Sequence, residues 1–405
     1  MKMLYISQIS FVLLKKMLKT FKYLICPTKD QSSLIDRHIG SSRFIYNLAL
    51  ETKIMAYSGN HVNVQGFDLI RQLPELKKEC KWLKDVNSQS LVQSLMGLDV
   101  AFVRFFKGQS KFPRFKKKKQ SGSFNLQQGV SLKDNKIIIP KFQEGINIVL
   151  HRPIAGAIKK ATITKSPSGK CFIMILCETG DSCPQKPTIS ECTTVGVDLG
   201  IKDFAITSDG EVIENPKYLR KAQGKLKYIQ RKYSKHKGKR TKHKLAILHE
   251  KVASQRRDFL QKTSTKLIRE NQTICLEDLN VAGMLKNHCL AQPISDAGWG
   301  MFVSMLEYKA EWYGKNILRI GRFEPSSKTC SCCGNINKGL TLRDRSWTCS
   351  ECGVLHDRDI NAACNIKAFA LKNYVSGTDT QIRNELPSLE GVLTSEIHDL
   401  ATICE

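Results

Sequence analysis

Residues 326–366 read SSKTCSCCGNINKGLTLRDRSWTCSECGVLHDRDINAACNI, and the rest of the chain is organised around this stretch. It holds two Cys-x-x-Cys pairs, Cys330/Cys333 and Cys349/Cys352, each followed by a glycine (Gly334, Gly353). Two tight turns that each present two thiolates can close a tetrahedron of sulfur around one Zn²⁺, the pattern of a zinc ribbon. The glycines permit positive φ, which lets backbone N–H groups point at the sulfurs. Cys332 competes within the first knuckle, but the two-residue gap pairs Cys330 with Cys333. Buried free thiols or disulfides are the alternatives. The 15 cysteines are odd in number and scattered, which suits a reducing compartment rather than a disulfide framework.

Downstream, His356–Ala363 opens an apolar helix that runs to about Leu371. Asp359, with Asn361, stands at its start, where an ordinary N-cap is the plain reading. Asp357 falls in the ribbon's exit loop, where exposure is the default. Upstream, two more carboxylates end strand-like runs: Asp198 in TTVGVDLG (193–200) and Glu277 in TICLEDL (273–279). A buried carboxylate needs a cation or a partner. Strand and helix signals alternate between these positions, which suggests a mixed sheet with helices packed on it. Three carboxylates meeting at one sheet end would hold two Mg²⁺ or Mn²⁺ ions through hard oxygens, a site suited to phosphodiester hydrolysis.

The count of 64 Lys+Arg against 37 Asp+Glu gives a net charge of +27, which points to a polyanionic partner, nucleic acid first. Two stretches concentrate it. Lys107–Lys119, KGQSKFPRFKKKK, has no acid, and its rings interrupt the charge. Lys111, Arg114, Lys116 and Lys117 would meet phosphates there while Phe112 and Phe115 meet bases or sugars; a solvated linker is the alternative. Lys217–Arg257 carries sixteen Lys/Arg and one acid, Glu250. It reads as two helices broken at Gly224, Gly238 and a turn over 234–241, with Lys235, Lys237, Lys239 and Arg240 as backbone contacts. Its alternative is a solvated face.

The remaining signals are ordinary. A strand is expected over Lys19–Pro27, then a helix over Gln31–Ala56 capped by Thr28 or Asp30, a second from Gly66 and a third over Ser88–Lys107. The polar first turn of that third helix, with Gln89, Ser90 and Gln93, faces water or nucleic acid. Short strands at 137–139, 146–150, 158–164 and 171–176 join the first strand in a small barrel. Asp181–Ser190 reads as a linker. A second strand, Phe204–Thr207, makes a hairpin with the Asp198 run. Further elements are a helix over Asp258–Glu270, a helix over Trp299–Tyr313 and a strand over Asn316–Ile320. No run is long enough to span a membrane. Residues 1–16 read as an extension ahead of a start at Met17, without a signal-peptide cleavage site.

VGVDLGIKDFAITSDG, ICLEDLN, SSKTCSCCG and CSECGVLHDRDINAACNI together resemble the OrfB/TnpB family of transposon-encoded proteins, relatives of the compact type V CRISPR effectors. The likeness covers about Leu18 to Leu371. It implies an α/β architecture: an RNase H-like (RuvC) nuclease domain over 191–325 and 356–372, with the basic hairpin 217–257 in its first part and the zinc ribbon 326–355 inserted. It implies a wedge β-barrel split over 17–38 and 121–188, a helical recognition insert over 39–120, and a disordered acidic tail over 373–405. Asp198, Glu277 and Asp359 would be the metal-binding catalytic triad for Mg²⁺ or Mn²⁺, with structural Zn²⁺ on the four cysteines. The implied activity is RNA-guided DNA cleavage by a prokaryotic, cytoplasmic protein, nucleoid-associated when on DNA. Its partners would be a guide RNA from the transposon end and double-stranded target DNA, with the protein a monomer in the RNA complex. The likeness also aligns Gln89, Ser90 and Gln93 with the element that reads a motif beside the target. A non-catalytic zinc-ribbon DNA/RNA-binding protein or transposition regulator is the competing reading, as is a strand-transferring transposase.

Overall fold

The computed structural model describes residues 16–118, 122–341 and 343–376; most of the expected extension, 1–15, and the acidic tail from 377 lie outside them. The chain divides into two compact units. One is built from residues up to Ser182 together with Ile229–Ile247, the other from Cys183–Tyr228 and Leu248 onward.

The first unit begins with β1 (Lys16–Cys26), where Phe21, Tyr23 and Ile25 alternate inward. Three helices follow: α1 (Lys29–Asn60), α2 (Gly66–Glu79) and α3 (Ser88–Phe106). Thr28 caps α1 in a reciprocal box with Gln31. The boundary expected at 38/39 falls inside α1, which is one uninterrupted helix. Six strands complete the unit: β2 (Gly122–Leu126), β3 (Ser131–Lys133), β4 (Lys136–Ile139), β5 (Phe142–Val149), β6 (Ala157–Lys165) and β7 (Cys171–Ser182). With β1 they form a seven-stranded sheet of order β2-β6-β7-β1-β5-β4-β3. Phe124 and Leu126 of β2 share one core with Ile137 and Ile139 of β4, so the sheet curls upon itself. The expected barrel is therefore seen as a curled sheet whose strand order runs open from β2 to β3.

His38 fastens α1 to this sheet and to the start of α3. It is fully buried, with Nδ1 2.9 Å from the Leu34 carbonyl and Nε2 accepting the Asn87 N–H at 3.0 Å. Burial lowers its pKa, so the ring is neutral, as two hydrogen bonds of opposite sense require. The basic stretch after α3 is not a loose linker. Asn47 of α1 grips Lys116 through both its N–H and its C=O, at 2.8 and 3.0 Å, and Phe112 packs edge-on against Phe102 and Phe105.

The second unit carries β8 (Thr194–Leu199), β9 (Asp203–Thr207) and β10 (Val212–Glu214), then the start of α4 (Tyr218–His236) and, from Leu248, the rest of α5 (Lys239–Glu270), whose joining segment Ile229–Ile247 counts with the first unit. Next come β11 (Thr273–Glu277), α6 (Val281–Met284), α7 (Ala291–Ala297), α8 (Trp299–Tyr313) and β12 (Asn316–Ile320). The ribbon hairpin, β13 (Ser346–Thr348) and β14 (Leu355–Asp357), leads into α9 (Arg358–Val375). The main sheet has the order β10-β9-β8-β11-β12; β8 pairs antiparallel with β9 and parallel with β11, which pairs parallel with β12.

Two expected breaks are absent. Gly224 lies inside α4, and α5 runs without interruption through the start expected at Asp258. Only the turn at Lys237 and Gly238 divides the hairpin, Lys237 taking φ 46°. Buried Asp296 pins its base, accepting the Leu219 N–H at 2.9 Å and the Arg256 guanidinium at 3.2 Å. Among the described residues no helix is long and apolar enough to cross a membrane.

Candidate active site and metal centre

The site depends on a close approach between α9 and β8. A Cβ built on Gly196 would lie 2.1 Å from the Ala363 carbonyl oxygen and 2.9 Å from the Lys367 amide nitrogen. Gly196 has no positive φ, so the constraint is space and not backbone conformation. Cys275, paired with Gly196, packs with Leu318, Ile320, Ile366 and Ala370, which identifies the sheet face that α9 covers. Side chains alternate along a strand, so Asp198 and Glu277, each two residues further on, share that face. The register Val197↔Leu276 then brings Asp198 and Glu277 to equivalent places at the ends of neighbouring parallel strands. Asp359 stands four residues, about one helical turn, before Ala363.

Asp198 feels the other two carboxylates. Burial pushes the Asp198 carboxyl up to about 7, and the charges of Glu277 and then Asp359 push the same way; Arg358 and the Leu199 N–H oppose them. Like charges gathered at a poorly solvated edge disfavour ionisation unless a cation joins them. Glu277 accepts the Ser326 hydroxyl at 2.5 Å. Asp359 is 3.4 Å from Arg345 and keeps about a quarter of its side chain exposed (26%).

The helix cap is Asp357, not Asp359. The Oδ1 atom of Asp357 accepts the N–H groups of Asp359 and Ile360, both at 3.0 Å, from an extended residue just ahead of the helix. The Asp359 carboxylate is thereby released from capping. Asp357 is exposed as expected, yet its side chain is engaged.

In the ribbon, the Sγ atoms of Cys330, Cys333, Cys349 and Cys352 all lie within 4.8 Å of one another, a set that could hold a metal ion. Among the described residues this is the one group of His, Cys, Asp or Glu whose ligand atoms close so tightly; the carboxylates are gathered more loosely. Gly334 and Gly353 take φ of 79° and 70°, completing the two knuckles. The Cys352 amide, and after it that of Glu351, hold the Cys349 thiol down to about 6 against the effect of burial. Cys352 accepts from the Val354 amide, yet burial and the three neighbouring sulfurs push it up to about 12. Four thiolates so close together need a cation among them. Cys332 is exposed and outside the cluster. His356, a buried residue, places Nε2 3.0 Å from the Cys330 sulfur.

Ribbon and carboxylates are mechanically joined. Asn361 donates to the Thr329 carbonyl at 2.7 Å and accepts the Ser331 N–H at 2.9 Å. Asn365 donates to the Ser326 and Thr329 carbonyls at 2.7 and 2.6 Å. The α9 helix thus holds the peptide whose Ser326 holds Glu277. Sequence reasoning missed Gly196, Ser326, Asn365 and the capping role of Asp357. A glycine between two valines inside a strand was the available signal for the first.

The remaining candidates are scattered. Lys111, Arg114, Lys116 and Lys117 are exposed, with the Lys116 ammonium 3.8 Å over the Tyr46 ring. Lys235, Lys237, Lys239 and Arg240 are exposed around the α4–α5 turn. Ser90 does not face water: it is fully buried and its hydroxyl donates to the Asn87 carbonyl at 2.7 Å, supporting the start of α3. Gln89 accepts the Gln128 N–H at 3.1 Å, and Gln93 is half-buried.

Comparison with known proteins places the chain among relatives. Residues 174–288 match the OrfB family described as "Probable transposase", 299–366 a "Cas12f1-like, TNB domain" and 17–61 a "Helix-turn-helix domain". The last span forms a strand and a single helix here. A Streptomyces pristinaespiralis protein with the provisional name of RNA-guided DNA endonuclease is 38% identical over 384 residues, 92% of this chain and 94% of its own. InsQ of Escherichia coli K12, provisionally named likewise, is 32% identical, covering 87% of this chain and 92% of its own. Among solved structures, a Cas12f1–sgRNA–target DNA complex matches with a TM-score of 0.50 at 13% identity, over 84% of this chain and 83% of that one; the likeness is one of fold.

Gly196→Ala tests the close approach. Overpacking of this kind costs about 1–3 kcal/mol. The expected outcome is a lowered melting temperature with faster amide hydrogen exchange confined to α9 and β8. Exchange in α9 indistinguishable from the native chain would show that the helix does not rest on Gly196.

Proposed function

The chain belongs to the OrfB/TnpB family, and from that premise we propose that it is a transposon-associated, RNA-guided DNA endonuclease. On this reading the second unit is an RNase H-like, RuvC-type nuclease domain, and the curled sheet of the first is a wedge barrel carrying the helical recognition insert. The observation that carries the proposal is Asp198, pushed up to about 7 by burial and then by the charges of Glu277 and Asp359. A buried carboxylate whose ionisation is disfavoured beside two further carboxylates is the donor set of a divalent-cation site.

Asp198, Glu277 and Asp359 would hold Mg²⁺ or Mn²⁺. Such ions, when bound, supply charge stabilisation for the attacking water and the departing 3′-oxygen of a phosphodiester. The chain's own residues prepare the site. Ser326 fixes the Glu277 rotamer, Asp357 takes over capping so that the Asp359 carboxylate stays available, and the α9–β8 contact sets the separation of the two aspartates. Arg345 beside Asp359 and Arg322 beside Asp278 surround the acidic centre with positive charge suited to flanking phosphates. The Cys330, Cys333, Cys349 and Cys352 set suits one structural Zn²⁺. Guide RNA from the transposon end and double-stranded target DNA would lie along the basic segments 111–117 and 235–240, with the protein a monomer in the prokaryotic cytoplasm.

A panel of variants in a plasmid-cleavage assay with reconstituted guide RNA, paired with gel shifts, tests the site. Asp359→Asn keeps the side chain's shape and removes a ligand charge worth several kcal/mol in the transition state. It should lower cleavage by about a thousandfold or more while binding persists. Asp357→Asn still caps and should cleave normally. Cys349→Ser should lose one equivalent of zinc by elemental analysis and loosen α9 through Thr329 and Ser331; Cys332→Ser should lose none. Robust cutting by Asp359→Asn, or zinc loss from Cys332→Ser, would overturn these assignments. Loss of binding in Asp359→Asn would favour the non-catalytic binding protein.

Neutralising Lys235, Lys237, Lys239 and Arg240 together should weaken nucleic-acid binding and flatten its salt dependence, each lost phosphate contact lowering the log–log slope by about one. An unchanged slope would make the turn a solvated surface only.

A further inference from the structure

The loop 321–325 joins β12 to the ribbon, and both of its ends are fastened to the Glu277–Asp278 pair. On one side Ile320 pairs with Glu277, and its carbonyl accepts the Asp278 N–H at 3.3 Å. Arg322 donates to Asp278 Oδ2 at 2.7 Å and to the Asp278 carbonyl at 3.4 Å. On the other side Ser326 donates to Glu277. Inside the loop, Glu324 Oε1 accepts the Gly321 N–H at 3.2 Å and Asn373 Nδ2 at 2.9 Å, and the Glu324 N–H returns to the Gly321 carbonyl. This is a braced support on rigid elements.

Phe323 stands at its centre, 93% exposed, more than any other large hydrophobic side chain among the described residues. A single exposed apolar residue is ordinary. This one is set apart by its place, between Arg322 and Glu324, whose bonds brace the loop at the carboxylate edge, and by what lies beside it. A cleft of about 360 Å³ opens at Glu277, with Trp299, Arg319 and Arg322 in its walls. The Trp299 indole N–H is buried without a protein hydrogen-bond partner. An exposed ring, a guanidinium next to it and a roomy cleft of mixed polar and apolar lining at the carboxylate edge fit a nucleotide chain, with its charged backbone and flat bases, better than a protein or lipid surface. Each base of a single strand offers a π-face, whatever its identity, and stacking on an aromatic side chain is worth about 1–3 kcal/mol.

We propose that Phe323 is a stacking surface for one base of the strand being cut, next to the carboxylates. The inference rests on the endonuclease reading. As a positioning contact, the ring would hold the unstacked nucleotide so that its phosphate stays at the Asp198–Glu277 edge, and the contact is indifferent to sequence.

The test uses the full chain carrying Asp198→Asn, which binds without cutting, and oligothymidylate as the probe. Adding Phe323→Ala should weaken binding about tenfold, Phe323→Trp should restore it, and Phe323→Leu should behave as Phe323→Ala because it keeps bulk but has no ring. An abasic oligomer of equal length should bind equally well with and without the Phe323→Ala substitution. Oligothymidylate bearing 5-iodouracil should photocrosslink to the peptide containing Phe323. Equal oligothymidylate binding by Phe323→Ala, full rescue by Phe323→Leu, or an abasic oligomer showing the same tenfold loss would overturn the proposal. Failure of the native chain to cleave would sink the endonuclease reading instead, since the binding comparison does not depend on cutting.

Discussion

Helix α9 rests on β8 at the position where the strand has no side chain. Gly196 receives the Ala363 carbonyl so closely that even a methyl group would collide with it. Everything at the carboxylate edge follows from that contact. It seats Ile366 and Ala370 against Cys275, Leu318 and Ile320, and it brings Asp359 within electrostatic reach of Asp198. Dispersion and burial hold the helix down; the missing Cβ decides how close it comes. A bulkier residue at 196 would push α9 away and separate Asp359 from Asp198.

That contact works against a cost. Two aspartates and a glutamate are drawn together where water is scarce, and Asp198 responds by holding its proton to about 7. On the proposed reading, a divalent cation at this edge would offset that repulsion. The ribbon shows the same logic with sulfur: one thiol is eased toward ionisation by amides while its neighbour is pushed to about 12. The two centres are coupled through Asn361 and Asn365, whose amides clamp the peptide between the first knuckle and Ser326. A loosened ribbon would therefore loosen the support of Glu277 as well as its own hairpin.

Much of this was legible in the sequence. The strands carrying Asp198 and Glu277, the two knuckles with their glycines, and an α1 cap at Thr28 or Asp30, which falls to Thr28, each announce themselves through local chemistry that spacing reports directly. The failures share a cause. Asp357 and Asp359 are two residues apart and chemically identical, so only the backbone at the helix entry distinguishes cap from free carboxylate. Gly224 costs a helix about 1 kcal/mol, too little to break α4, and α5 continues through Asp258 because packing outweighs weak local punctuation. Ser90 reads as a polar surface residue until the Asn87 carbonyl is seen to take its hydroxyl. Gly196 and Ser326 act across the fold, and nothing in their own neighbourhoods shows the atoms they meet. Phe323 looks like any loop aromatic until the braces on either side of it are in view.

The central claim is that Asp198, Glu277 and Asp359 form one cation site. Electron paramagnetic resonance of Mn²⁺ titrated into the full chain, in the absence of nucleic acid, addresses it most directly. The account predicts specific binding of Mn²⁺ that is lost or greatly weakened in Asp198→Asn, Glu277→Gln and Asp359→Asn alike, with the melting temperature kept. Retention of native Mn²⁺ binding by any one of the three would contradict it.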